Sequence, residues 1–199
     1  MNPRTFVLTV DREIKCFNET AQHLNEMGVE WERFNGFDNR ICKLLPVETF
    51  DMDRAGEKIG PKHIAATLSH MMLWKVMSYT SEDRWWSLEY DVRMVDGWKE
   101  QYEQAMSVMP DNVDIIFLGS CCTKGRATTH IGENVYEVKW PLCGHAQEIR
   151  RSALPILLKE QQKICMPLDI ALYQQAFPKL KVMTILPPII VQAGPSLPP

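Results

Sequence analysis

The stretch 4–34, RTFVLTVDREIKCFNETAQHLNEMGVEWERF, decides the fold. Arg4 to Val10 is β-branched and aromatic and stops at Asp11, as expected of a buried first strand whose carboxyl end opens into a loop. From Glu13 to Met27, Ile14, Phe17, Ala21, Leu24 and Met27 recur at spacings of three and four, a helical stripe that Gly28 is placed to end. Val29 to Phe34 then reads as a second strand. Strand, helix, strand at this length predicts a right-handed parallel crossover, the unit of a doubly wound sheet.

Outward from that unit the same alternation continues. Between Asn35 and Gly60 the periodicity fades while Gly, Asp, Pro and charge accumulate, which predicts a long loop over the carboxyl edge of the sheet. Pro61 suits a first helical turn, and Ile64, Leu68, Met71, Met72, Val76 and Tyr79 form a broad apolar stripe behind it. Trp85 to Val92 reads as a third strand, Asp96 to Met109 as a helix, and Val113 to Leu118 as a fourth strand ending at Gly119. Ser120 to Gly132 is polar and rich in Thr, which predicts a mobile loop suited to substrate gating. Val135 to Trp140 should be extended, Gln147 to Glu160 helical with a break at Pro155, and Asp169 to Phe177 helical. Val182 to Val191 should close the chain in extended form. The expectation is a single α/β domain over 1–192, with a mostly parallel central sheet flanked by helices, and a Pro-rich tail or linker at 193–199.

With 199 residues, 45% of them hydrophobic and 24% charged, the chain has the make-up of one folded core rather than a disordered segment. A formal charge of −3 offers no field for wrapping a nucleic-acid backbone, so an anionic ligand must be caught locally. The longest apolar runs are too short to span a bilayer, and no signal-peptide pattern opens the chain, so a cytoplasmic protein is expected. Cys16, Cys42, Cys121, Cys122, Cys143 and Cys165 show no C-x-x-C pair and read as reduced, mostly buried thiols.

Ligands of an open parallel sheet collect at the carboxyl ends of its strands, so acids at those ends draw the eye. Asp11 follows the first strand, Asp38 the second, and Glu89 and Asp91 end the third. Positions i and i+2 of an extended chain project to one side, and two carboxylates so placed suit a hard divalent cation that also bridges a diphosphate. Asp51-Met52-Asp53 is a rival acidic pair, set in a charged, loop-rich region where solvated acids are the better reading. Trp74, Trp85 and Trp86 read as core rather than as sugar-stacking platforms, because all lie in helix or strand interiors. Lys124 and Arg126 are left outside the site as a solvated charged loop.

An ordered series of motifs resembles glycosyltransferase family 25, which includes lipooligosaccharide glycosyltransferases and collagen galactosyltransferases. It runs through Val7-Leu8-Thr9-Val10-Asp11-Arg12, Gly36-Phe37-Asp38, Ile64-Ala65-Ala66-Thr67-Leu68-Ser69-His70 with Leu73-Trp74, and Leu88-Glu89-Tyr90-Asp91-Val92. It continues through Ile116-Phe117-Leu118-Gly119, Cys143-Gly144-His145-Ala146 at a helix start, Met166-Pro167-Leu168-Asp169, and Pro187-Pro188-Ile189-Ile190-Val191-Gln192. The chain departs from the family pattern at Tyr90, where a third acid is usual, at Lys62-His63-Ile64, where Gly-Glu-Ile is usual, and at Gly144, where Thr is common.

The resemblance implies a GT-A-like fold, a nucleoside-diphosphate sugar donor, a glycan or protein-linked acceptor, and inversion at the anomeric carbon with Mn²⁺ or Mg²⁺. By analogy, Thr9, Asp11 and Arg12 line the nucleotide pocket, Asp38 reaches base or ribose, and Ser69 and His70 lie beside the donor. Glu89 and Asp91 hold donor and metal, with Asp91 also counted among the catalytic residues. His145 meets phosphate or metal from a helix N-terminus. Asp169 is the candidate general base. The plainer alternatives are a core histidine at 70, a surface cap at 145 and an ordinary N-cap at 169. Two other functions remain open on the sequence: a nucleotidyltransferase-like α/β enzyme, and a non-catalytic carbohydrate-binding module of the same fold, for which Tyr90 speaks. A dinucleotide-binding G-x-G-x-x-G after the first strand and a Walker loop are both missing.

Overall fold

The apolar run at the N-terminus forms β1 (Arg4–Thr9), and a short 3₁₀ turn leads into α1 (Ile14–Glu26), which closes at Gly28 with φ +68, a conformation glycine adopts without strain. β2 (Glu32–Asn35) then lies parallel to β1, as the crossover reading requires. After it come α2 (Pro61–Ser78), β3 (Arg84–Glu89), β4 (Val92–Met94), α3 (Trp98–Val108), β5 (Ile115–Cys121), β6 (Ala127–Gly132), β7 (Val135–Val138), β8 (Leu142–Arg150), α4 (Leu154–Glu160), α5 (Leu168–Ala171), β9 (Val182–Ile185) and β10 (Ile190–Gln192). The computed structural model describes residues 2–40, 59–121, 127–139, 141–161, 164 and 166–193. Asp51-Met52-Asp53, Lys124, Arg126, Cys42, Cys122, Cys165 and the tail from 194 lie outside the described residues.

Eight strands form one sheet in the order β2-β1-β3-β8-β5-β9-β7-β6, and β4 and β10 form a separate antiparallel ribbon. Following the pairings, β1, β2, β3, β5, β6 and β9 run one way while β7 and β8 oppose them, so the sheet is mostly parallel in direction. Alternation along the strands sends successive side chains to opposite faces. Trp86, Leu88, Ile116 and Leu118 meet α1 and α3 through Phe17, Leu24, Trp98 and Tyr102. Trp85, Ile115 and Phe117 meet α2 and α4 through Leu73, Trp74, Leu154 and Leu157 on the other face. All three tryptophans read as core are fully buried.

Three sequence expectations are corrected. Gln147 to Glu160 is not one helix: its first part belongs to β8, which runs antiparallel between β3 and β5 at the middle of the sheet. Ala, Gln, Glu and Arg are good helix formers, but burial on both faces overrides that preference. One oxygen of the wholly buried Glu148 accepts hydrogen bonds from Trp86 Nε1 and the Tyr102 hydroxyl, and Arg84 and Arg150 stand 3.8 Å from the other. The stretch expected as a mobile loop after Ser120 includes β6, an edge strand paired to β7. The third strand ends at Glu89, and Tyr90-Asp91 form a turn before β4. Cys16, Cys121 and Cys143 are free thiols and half-buried. Among the described residues no helix is long and apolar enough to cross a membrane.

Candidate functional site

Glu89 shares strand parity with Trp85 and Ser87, which turns it toward α2. There His70, buried on α2, brings Nε2 to 3.7 Å from Glu89 Oε1. Glu89 keeps 31% of its side-chain surface exposed. Burial raises its pKa, but the attraction of the His70 and His145 rings outweighs burial, so the net shift is downward. By linkage, a carboxyl with a depressed folded pKa stabilises the fold above its ordinary value of 4.5 and loses that contribution as pH falls through the folded value. The difference in unfolding midpoint between the wild type and Glu89→Gln is therefore expected to be largest near neutral pH and to shrink on acidification below pH 4.5; a difference that grows on acidification contradicts this sign.

Ala66, His70 and Glu89 form a wall with a cavity on each side. The cavity of about 140 Å³ is lined by Thr9, Arg12, Phe37, Lys62, Ser69 and Tyr90. Burial pushes the Tyr90 phenol up to about 12, so it stays a neutral hydroxyl. The cavity of about 170 Å³ is lined by His63, Cys143, Gly144, Gln147 and Asp169. Asp169 opens α5, where its Oδ1 accepts the Ile170 N–H at 2.9 Å.

Ser69 has its hydroxyl committed to backbone: it donates to the Ala65 carbonyl at 2.6 Å and accepts the Phe37 N–H at 2.8 Å. Gly36 makes this possible, since a Cβ there would stand 2.6 Å from Ser69 Oγ. The serine thus pins the segment after β2 onto α2. Arg12 reaches Asn39 Oδ1 at 2.7 Å and Glu13 at 3.2 Å.

The remaining acids are distributed differently from the sequence expectation. Asp11 is largely exposed, pairs with Arg33 at 2.6 Å, and shares an outer depression with Asp38 rather than either walled cavity. Arg40 hydrogen-bonds both Asp38 oxygens and lowers its pKa to about 2. Asp91 lines neither walled cavity. The turn after β3 interrupts the i, i+2 projection, and Asp91 Oδ2 instead accepts from Gln192 Nε2 at 2.8 Å while Oδ1 is buried without a partner. Burial and the charge of Glu89 raise the Asp91 pKa against the opposing Gln192 hydrogen bond.

His145 is not at a helix start. It lies within β8, where the register of Leu88 opposite Ala146 brings it next to Glu89. It is 3% exposed, Nδ1 lacks a hydrogen-bond partner, Nε2 stands beside the Ile190 carbonyl, and burial lowers its pKa despite the nearby charges of Glu89 and Asp91 and that carbonyl. Beneath the ring sits Gly119, a residue whose role the sequence reading missed: a Cβ there would meet Ile190 O at 1.9 Å and His145 Nε2 at 2.6 Å. A glycine inside an otherwise apolar strand was the available signal of close backbone approach. Among the described residues, no three His, Cys, Asp or Glu side chains are gathered to hold a metal ion by themselves.

No protein-family model matches the chain, and no curated protein matches it. Among solved structures, it is similar over 98% of its length to a glycosyltransferase involved in the glycosylation of the major capsid of PBCV-1, with 96% of that chain covered, 12% identity and a TM-score of 0.51. It is similar over 98% of its length to the glycosyltransferase GlyE of Streptococcus pneumoniae TIGR4, covering 55% of that chain at 9% identity and a TM-score of 0.51. The inositol-1-phosphate CTP transferase of T. maritima matches over 98% of this chain and 90% of its own, at 9% identity and a TM-score of 0.51. At such identities the likeness is one of fold: a mixed α/β architecture with a large, mostly parallel sheet flanked by helices, of the GT-A-like kind found in glycosyltransferases.

Proposed function

We propose that the protein is an inverting glycosyltransferase resembling family 25, which moves a sugar from a nucleoside-diphosphate donor to a hydroxyl of a glycan or protein-linked acceptor. One observation carries the reading: the His70–Glu89 wall has a cavity on either side, as a reaction joining two substrates requires. On one side Arg12 and Lys62 supply cationic donors for a diphosphate and Phe37 an aromatic surface for a base. On the other, Asp169 supplies a carboxylate for the acceptor. The GT-A-like fold supports a transferase that uses nucleotides.

In this reading Asp169 takes the proton of the acceptor hydroxyl as its oxygen bonds to the anomeric carbon. The bond from that carbon to the diphosphate oxygen breaks, and its electron pair leaves with the nucleoside diphosphate. Attack from the side opposite the leaving group inverts the configuration. Thr9, Arg12 and Lys62 hold the diphosphate, and Ser69 keeps the donor cavity in shape through its two backbone bonds. His70 holds the Glu89 carboxylate charged and oriented. Asp11 and Asp38, on the outer depression that adjoins Val10, face the ribose or base.

The unpartnered Asp91 Oδ1 fits Mn²⁺ or Mg²⁺, ions that are commonly held by one or two carboxylates and substrate phosphates. Glu89 and Asp91 would hold the cation together with diphosphate oxygens, with His145, kept neutral by burial, standing nearby. When bound, the ion would supply charge neutralisation to the departing diphosphate. The catalytic unit spans 1–192, and free Cys16, Cys121 and Cys143 accord with action in the cytoplasm.

Nucleotidyl transfer is a second reading, favoured by the equal TM-score of 0.51 to the CTP transferase. The two differ in product. With Mn²⁺ and a panel of nucleotide sugars, one donor is expected to raise the unfolding midpoint, since a ligand of the folded state stabilises it, and to release nucleoside diphosphate slowly. Release of pyrophosphate from CTP and a sugar phosphate selects the second reading instead, and no shift with any donor defeats sugar transfer.

A further inference from the structure

The site leans on the C-terminal strand, which no catalytic role has yet claimed. β10 runs antiparallel to β4 with Gln192 opposite Val92, and three of its features converge on the site. Gln192 Nε2 donates to Asp91 Oδ2 at 2.8 Å, and the Ala193 N–H just beyond donates to the Asp91 carbonyl at 2.5 Å. The Ile190 carbonyl lies over Gly119 beside the His145 ring. The Asp91 carboxylate is thereby divided: one oxygen is occupied by an amide, the other is buried and has no partner. Its neighbour His145, also buried, sets Nε2 beside the Ile190 carbonyl and leaves Nδ1 without a partner. Buried polar atoms without partners destabilise a fold, and their clustering here suits a ligand that completes them.

We propose that Gln192 is a positioning residue, whose side-chain amide fixes the Asp91 carboxylate in one orientation so that Oδ1 is kept for a divalent cation bound with a nucleoside diphosphate. The assignment rests on the glycosyl-transfer reading above. An amide suits the task because it donates a hydrogen bond without bringing positive charge. A lysine or arginine at 192 would neutralise the carboxylate that the cation needs, and a glutamate would repel it. Two contacts, one from the Gln192 side chain and one from the Ala193 N–H, leave the Tyr90-Asp91 turn little freedom.

The test is Gln192→Met, which keeps side-chain size and removes the donor. Mn²⁺ binding is measured directly from the electron paramagnetic resonance signal of the free ion, with UDP, GDP and CDP each present in turn. Gln192→Met is expected to weaken Mn²⁺ binding about tenfold and, since Asp91 Oδ2 loses its donor, to lower the unfolding midpoint of the metal-free protein modestly while the protein stays folded through the titration. The concentration of Mn²⁺ needed for half-maximal turnover should rise by the same factor, with kcat at saturating Mn²⁺ changed much less. Gln192→Asn, which retains the amide on a shorter arm, should fall between, and provides the comparison if the methionine variant does not fold. Equal Mn²⁺ affinity in wild type and in a folded Gln192 variant overturns the positioning role alone. No Mn²⁺ binding by the wild type with any of the three nucleotides overturns the parent reading together with this one.

Discussion

Gly119→Ala is expected to lower the unfolding midpoint by roughly 6–12 °C, from a loss of about 3 kcal/mol at a few degrees per kcal/mol for a chain of this size. The added Cβ would lie 1.9 Å from the Ile190 carbonyl oxygen and 2.6 Å from His145 Nε2. The first of these contacts is to backbone, so no side-chain rotation relieves it. Ile190 is also tied into the β10–β4 ribbon, and neighbouring Ile189 donates to the Leu118 carbonyl at 3.0 Å, so the strand has little room to retreat. The same displacement moves the chain toward Gln192, so donor binding should weaken as well. Thermal unfolding followed by circular dichroism checks the first effect, and a midpoint within about 1 °C of wild type would mean the approach is looser than these distances state.

Asp169→Asn, under the proposed function, should cut kcat by about 10²–10⁴-fold, the usual contribution of a positioned general base. Asparagine keeps the shape and can still accept the Ile170 N–H through its amide oxygen, so the start of α5 is preserved. Asp169 lies at a cavity margin and makes no ion pair among the described residues that its loss would break. The midpoint should therefore stay within about 1 °C of wild type, with donor KM nearly unchanged, because the residue faces the acceptor cavity and not the donor side. Steady-state kinetics with separate variation of donor and acceptor distinguishes the outcomes. A large rise in donor KM with kcat intact would move Asp169 out of proton transfer and into donor binding.

The strand-helix-strand start, α2 with its proline entry, and the burial of Trp74, Trp85 and Trp86 were legible because each is a local pattern whose period matches its element. β8 was not legible. Its end, Ala146 to Arg150, is rich in residues that prefer helix in isolation, and what makes it a strand is the pair of neighbours, β3 and β5, contributed by distant parts of the chain. His145 was misplaced for the same reason. At the site, His70, Glu89 and Asp169 could be picked by residue type and neighbourhood, and they do meet at one cavity. The orientation of Asp91 could not be read, since it depends on a turn ending β3 one residue early and on Gln192, 101 positions away in sequence. Asp11 and Asp38 illustrate a further limit: an acid after a strand marks the correct edge of the sheet, but Arg33 and Arg40 determine which way its carboxylate is drawn.

The position of β8 also bears on how the polypeptide is made. Residues 142–150 fill the gap between β3 and β5, both of which are synthesised earlier. Until that segment emerges, a nascent chain carries two bare hydrogen-bonding rims, and either can capture a strand from another molecule. Closing the gap joins partners far apart along the chain, which slows folding and lengthens the exposure. Production in a cell should accordingly depend on chaperones that shield those rims during translation.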